Sequence, residues 1–548
     1  MPNFSRRNLL KGIAGASATV SLSACGILFV SQFDATHFNL DCNSGPIITD
    51  AHAHFFNASD LNFARYLTGP VLNDAINKGD TLEYQTLLKA TATFVQLAGN
   101  SIACSAKTEL FWLKQPSPSM SLLSDIDSVK EKENLLKLEI KTVADNLFKY
   151  KSDDNRRVLN DKEKALRDLA QAYEAWQDQE LVIYSTDKNK SLNSQDYIIP
   201  FEYESFSDIS DEPLNGLSFS PDIDKKTQND IKKMRAAWKG YLEMFRAILS
   251  PRSTNIHLFL RRYSKKLGPS VHNVMAVTCD FDYFLGPKAY TSSQSSQIKL
   301  YSKLAELTKG YVVPVLGVNP YKLAADNDYE NLVKDALQNK GFKGVKLYPT
   351  IGYAADGRES EIAYNPKKYN SADIKGGLWK LYKMCQGKYF VMSHAQESKG
   401  VSRKARMYSN PNYWASVLAA FPNLHLNFGH LGGKNVANRQ GYLALMTKYK
   451  NAYGDLGYQP YLENDLMAKV LINEMRTASR SGSYSAFDKV MFGSDWFMLL
   501  QEKSSLDYLN NLYNTFDKLV QSGFLSSTER DKIFRHNALS MSNTLALC

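Results

Sequence analysis

Ile47-Ile48-Thr49-Asp50-Ala51-His52-Ala53-His54-Phe55-Phe56 decides the reading of this 548-residue chain. A short, mostly apolar run after a Gly-Pro pair predicts a buried strand. Side chains alternate between the two faces of a strand, so His52 and His54 fall on one side and can share one metal ion. After about residue 268, seven more β-rich runs follow: Val271–Thr278, Tyr311–Val318, Gly344–Tyr348, Tyr389–Ser393, Leu424–Gly429, Ala452–Leu456 and Lys489–Gly493. Helical stretches lie between them, among them Gln297–Lys309, Tyr329–Gln338, Gly376–Cys385 and Gly441–Lys450. Strands alternating with helices make βαβ units and a parallel sheet. Eight strands in this pattern predict an α/β fold, a TIM (β/α)8 barrel, rather than an open sheet. No G-x-G-x-x-G or Walker-type loop follows any of these runs, which argues against a nucleotide-binding doubly wound fold.

In such a barrel, chemistry sits where strands end and loops begin. The first strand ends in His52 and His54, and the fifth in Val391-Met392-Ser393-His394. The sixth ends in Asn427-Phe428-Gly429-His430, and the eighth in Phe492-Gly493-Ser494-Asp495-Trp496. Four histidines and one aspartate thus reach predicted strand ends, from a chain holding nine histidines in all. A lone strand-end histidine is often a structural hydrogen-bonding residue, but the joint pattern points to a metal centre. Imidazoles with one carboxylate suit Zn²⁺, with Mn²⁺ or Fe²⁺ as alternatives. Such a centre activates water and polarises a carbonyl group.

These motifs resemble the amidohydrolase superfamily, specifically its amidohydrolase-related branch of metal-dependent hydrolases and non-oxidative decarboxylases. The resemblance rests on Asp50–His54, Gly344-Val345-Lys346-Leu347-Tyr348-Pro349, the His394 strand, Gly429-His430-Leu431-Gly432-Gly433 and Phe492–Trp496. The tail Ile533-Phe534-Arg535-His536-Asn537-Ala538 resembles the family's closing helix. It covers about 47–56 and 268–545 and leaves the insertion after the first strand without precedent. It implies His52, His54, His394 and Asp495 as metal ligands, Asp495 and His430 as catalytic residues, and His430 alternatively as ligand to a second metal. Lys346 is either a carboxylated lysine bridging two metals or, with one metal, a charge-pairing or substrate-binding lysine. One ion is preferred to two.

The expected function is metal-dependent hydrolysis of a C–N or C–O bond in a small molecule: an amide, lactam, lactone or ester. The alternatives are non-oxidative decarboxylation by the same centre, and a non-catalytic surface lipoprotein that binds a partner through its insertion. Asp280 and Asp282, after the second strand, are candidate substrate-binding residues, with loop capping as the plain alternative. Asp455, after the seventh strand, is a similar case, and His425, at the start of the sixth, reads as structural.

The remaining sequence divides around the barrel. Residues 47–56 and 266–548 form it, and 57–265 make a mostly helical insertion placed to cap the catalytic face. Within it, Leu166, Leu169, Tyr173 and Trp176 mark one face of a helix. Two long helices over about 122–182 would pack as a hairpin, followed by an irregular loop over 185–225. Ser5-Arg6-Arg7-Asn8-Leu9-Leu10-Lys11 resembles a twin-arginine export signal. The weakly apolar stretch Gly12–Ala24 is too short for a membrane span. Leu22-Ser23-Ala24-Cys25 looks like a bacterial lipobox, with Cys25 the site of lipid attachment. Residues 1–24 are then a signal peptide and 25–46 a tether. The resulting expectation is an exported cell-envelope lipoprotein on the periplasmic side, held to a membrane by its acyl chains, with the outer membrane permitted by Gly26. The other five cysteines are scattered, without a C-x-x-C pair; an oxidising compartment permits a disulfide but spacing does not assign one. A composition of 44% apolar and 22% charged residues excludes a disordered chain and a polytopic membrane protein. A dispersed net charge of +10, without dense basic runs, gives no nucleic-acid signature. Oligomeric state is unreadable.

Overall fold

The computed structural model describes residues 45–66, 103–114, 250–264, 268–282, 292–361, 371–398, 404–502 and 507–543, with Phe38, Leu40, Met244, Ala247, Ile248, Phe284 and Ser402. The expected signal peptide, most of the tether, the helical hairpin of the insertion and its 185–225 loop lie outside these residues.

Eight parallel strands form one sheet in sequence order. They are β1 (Ile47–His54), β2 (Ser270–Val277), β3 (Val312–Gly317), β4 (Gly344–Leu347), β5 (Phe390–His394), β6 (His425–Gly429), β7 (Ala452–Asp455) and β8 (Val490–Met491). Every expected strand is present within a residue or two. β1 pairs directly with β2 although residues 55–269 separate them, so the insertion leaves the sheet order intact. The ring closes between β8 and β1 by main-chain bonds. Ala51 N donates to Phe492 O at 2.9 Å, Asp495 N to His52 O at 2.7 Å and His54 N to Trp496 O at 2.7 Å. This is the TIM barrel that the alternation of elements predicts.

Helices follow most strands: α1 (Ala106–Leu113) and α2 (Arg252–Tyr263) from the insertion, then α3 (Gln294–Leu307), α4 (Pro320–Ala325), α5 (Asn327–Asn339), α6 (Ser371–Cys385), α7 (Asn412–Ala420), α8 (Val436–Lys448), α9 (Asp465–Ser481), α10 (Tyr508–Gln521) and the closing α11 (Asn537–Ser542). Asn and Asp side chains start several: Asn319 caps α4, Asp326 caps α5 and Asn464 caps α9, each accepting main-chain N–H bonds of the first turn.

Two apolar clusters separate the layers. The larger takes Val345 and Leu347 of β4 and Leu426 and Phe428 of β6 against the helices. The smaller takes Met275 and Val277, Val313 and Val315, Phe390 and Met392, with Tyr453 and Met491, and is joined by Ala538 and Met541 of α11. By alternation, Lys346, Asn427 and Gly429 therefore point into the barrel, and α11 plugs its lower end. His425, the first residue of β6, bonds through Nδ1 to Met541 O at 3.0 Å at that lower end.

Candidate metal centre

The upper end of the barrel is polar and buried. His52, His54, Lys346, His394, His430, Asp455 and Asp495 are all buried. The histidine rings form a chain: His54 to His52 at 5.3 Å between centroids, His52 to His430 at 4.7 Å and His430 to His394 at 4.6 Å. The strand-end residues read from sequence are thus brought together.

Three of these rings have a fixed tautomer. His52 Nδ1 is 3.1 Å from Asp455 Oδ1, His54 Nδ1 is 3.1 Å from Val277 O, and His430 Nδ1 is 2.9 Å from Gly457 O. Each partner is an acceptor, so each Nδ1 carries a proton, and Nε2 is the nitrogen turned to the centre. Asp495 Oδ1 lies 3.3 Å from His54 Nε2 and 3.6 Å from His52 Nε2. His394 Nε2 is buried and has no hydrogen-bond partner among the described residues. Lys346 Nζ, 2.9 Å away, donates to His52 Nε2.

Electrostatics follow from burial and these contacts. Burial, helped by the Lys346 charge, pulls His52 down to about 4. Burial also lowers His54, but hydrogen bonds to Asp495 and Cys279 outweigh it and carry that imidazole up to about 9. His394 and His430 are lowered, first by burial. Burial brings the Lys346 ammonium to about 8. Asp495 resists its own burial and is held well below the usual carboxylate range by His430, His54 and His52. Asp455 is held down likewise, by His52, His430 and Lys346.

This donor set fits a divalent cation. Imidazole Nε2 atoms, an ionised carboxylate that a cation would share with them, and the orphaned buried His394 nitrogen are the donor types such an ion takes in place of water. One trio, His52, His54 and Asp495, has its ligand atoms within 4.8 Å of one another; a second is His52, His430 and Asp455.

The local backbone is shaped for this arrangement. His430 and Asp495 both adopt left-handed conformations, at φ 68° and 55°, uncommon for residues other than glycine. A side chain at Gly429 would meet Lys346 Nζ at 3.1 Å and His52 Cε1 at 3.2 Å, so glycine is what lets the lysine and the imidazole meet.

Asp280 and Asp282 stand apart from this cluster. Both pair with Lys322, Asp280 at 3.0 Å, and Tyr329 Oη donates to Asp280 Oδ2 at 2.8 Å. Asp455, by contrast, lies at the heart of the site. Sequence reasoning missed three other residues. Asp50 Oδ1 accepts from His52 N at 2.9 Å and Ser494 N at 3.0 Å, tying β1 to the end of β8; burial raises its carboxyl to about 7. Tyr348 stacks on His394 at 5.9 Å, and its hydroxyl lies 3.3 Å from Cys279 Sγ. Strand-end position, the signal that picked out Asp495, marks Tyr348 and Cys279 as well.

A family model described as amidohydrolase matches residues 331–541, less than half of the chain. No curated protein matches it. Among solved structures, an amidohydrolase from Burkholderia multivorans with bound zinc is similar over 53% of this chain and 87% of its own, at 14% identity and a TM-score of 0.33. The 4-oxalomesaconate hydratase from Rhodopseudomonas palustris is similar over 68% of this chain and 92% of its own, at 13% identity and a TM-score of 0.31. The amidohydrolase pattern thus spans β4 to β8, with Lys346, His394, His430, Asp455 and Asp495 inside the matched residues and the β1 histidines outside.

Proposed function

We propose that this protein is a metal-dependent hydrolase that cleaves a C–N or C–O bond of a small molecule, an amide, lactam, lactone or ester. The observation that supports it most is the convergence of His52, His54 and Asp495 at the barrel mouth, with the orphaned His394 Nε2 in the same cluster. These four residues would hold the ion. Zinc suits the donor set best, and manganese or iron(II) suits it too. One ion is preferred, because the Lys346 ammonium already faces His52 Nε2.

A bound divalent ion supplies Lewis-acid polarisation of the scissile carbonyl and lowers the pKa of water. The chain's own residues do the rest. His430 keeps Nδ1–H on Gly457 O, so its Nε2 is the nitrogen that takes a proton from the attacking water and returns it to the leaving nitrogen or oxygen. Asp495, ionised by its imidazole neighbours, stabilises the positive charge that forms on His430. Lys346 serves as a charge partner of the centre. We infer further, from the N-terminal sequence, that the chain is exported and held to the cell envelope through Cys25.

The test is the purified mature protein, metal-stripped and then reloaded with zinc, on a panel of lactones, esters and amides beside aromatic carboxylic acids. Mass spectrometry should find products that have gained one water, formed only by the reloaded protein. Loss of CO₂ from the acids would replace hydrolysis by decarboxylation. Equal turnover by the stripped protein would remove the metal from the reading.

A further inference from the structure

The second candidate trio, His52, His430 and Asp455, invites a second cation. The hydrogen bonds point elsewhere. Asp455 is fully buried. Its Oδ1 accepts from His52 Nδ1 at 3.1 Å, His430 N at 2.9 Å and Gly457 N at 2.9 Å. Its Oδ2 accepts from Asn427 Nδ2 at 2.8 Å. Each carboxylate oxygen offers about two lone-pair positions, so Oδ1 with its three donors is saturated, while Oδ2 is turned to Asn427. A cation shared with His52 and His430 through Oδ1 would have to expel one of those donors.

Resting on the metal-centre reading above, we propose that Asp455 is a positioning residue that orients His52 and His430 together and is not a metal ligand. Its bond to His52 Nδ1 fixes the tautomer whose Nε2 faces the centre, and its charge makes that nitrogen a stronger donor. The same oxygen holds the His430 main chain where it leaves β6 in a left-handed turn. One carboxylate on β7 therefore sets a ligand from β1 and the proton-transfer residue after β6. Asn427, inside β6, fixes the rotation of the carboxylate through its other oxygen. Gly457 permits the close packing, since a side chain there would lie 3.0 Å from both Asp455 Oδ1 and His52 Nδ1.

The experiment uses the full mature chain and zinc alone, with affinity read by competition against a chelator and stoichiometry by elemental analysis. Asp455→Asn should weaken zinc binding about 10- to 100-fold, as loss of an outer carboxylate does, with the same number of ions bound at saturation. In the swap Asp455→Asn with Asn427→Asp, the amide at 455 donates to the new carboxylate while its oxygen keeps the three donors. That swap restores the hydrogen-bond geometry while the charge now sits on residue 427, and should recover part of the lost affinity. Asn427→Ala, a milder change, should weaken binding by a few-fold and serves if the other variants fail to fold. Unchanged affinity in Asp455→Asn, a whole ion lost at saturation, or no recovery in a folded swap would each overturn the proposal. Because no substrate is involved, these outcomes stand apart from the choice of reaction. A wild-type chain that binds no zinc would overturn the metal-centre reading along with this one.

Discussion

His52, His54 and His430 each spend Nδ1 on an acceptor behind the ring, and that sets what each can do in front of it. Losing His52 or Asp495 removes a donor from the compact trio, so His52→Ala and Asp495→Ala should each lose turnover and at least ~10-fold in metal affinity. His425→Ala should leave metal content nearly unchanged, because its ring bonds Met541 O at the opposite end of the barrel. His430→Ala should keep the metal and lose turnover; loss of half the metal instead would indicate two ions. Elemental analysis and turnover of the four variants check this. His52, His54, His394, His430 and Asp495 were legible because residue type and strand-end position are both local properties. Asp455 was only half legible, because its role lies in four donors from β1, β6 and its own loop. The pairing of Asp280 and Asp282 with Lys322 was not legible, because sequence could not place that lysine beside them.

Strand positions were readable almost to the residue, and β8 shows where that reading stops. An apolar run over Lys489–Gly493 predicts five residues, but the ladder to β7 holds Val490 and Met491 alone. From Phe492 onward the chain changes partners. Phe492 N bonds Ile533 O at 2.7 Å, its carbonyl accepts from Ala51 N, and Asp495 N goes to His52 O. Hydrophobic pattern does not report such an exchange. The same holds for Arg252, which opens α2 in the insertion and is fully buried. Its guanidinium bonds Asp60 beyond β1 and Glu109 of α1, with Ser59, Ser292 and the Cys104 carbonyl completing the shell. This network locks the root of the insertion against the loops above β1 and β2. Arg252→Met would strand two buried carboxylates, at a cost of about 3–5 kcal/mol. Lys303→Ala, which breaks an exposed pair with Glu306, should cost under ~0.5 kcal/mol. Guanidinium unfolding of both variants measures the contrast, and equal midpoints would show the Arg252 network to be energetically idle.

At the scale of the whole molecule, the barrel gathers the candidate site, and the N-terminal sequence carries the proposal of envelope attachment. Among the described residues, no helix is long and apolar enough to cross a membrane. Cys104 is disulfide-bonded, which fits an oxidising compartment, while Cys279 and Cys385 are free and buried. Under the proposed export, attachment to a membrane would fall to acyl chains on Cys25, each buried methylene of which contributes about 0.8 kcal/mol. The competing source of adhesion is electrostatic, since the chain carries a net charge of +10. Salt separates the two, because the screening length shrinks to about 3 Å at 1 M while burial of an acyl chain is not weakened. Cells expressing the wild-type chain should therefore keep it in the membrane fraction through a high-salt wash, and cells expressing Cys25→Ser should release it. A Cys25→Ser chain that resists the wash would place the anchor elsewhere in the protein, and a wild-type chain that salt alone releases would mean that charge, not lipid, holds it.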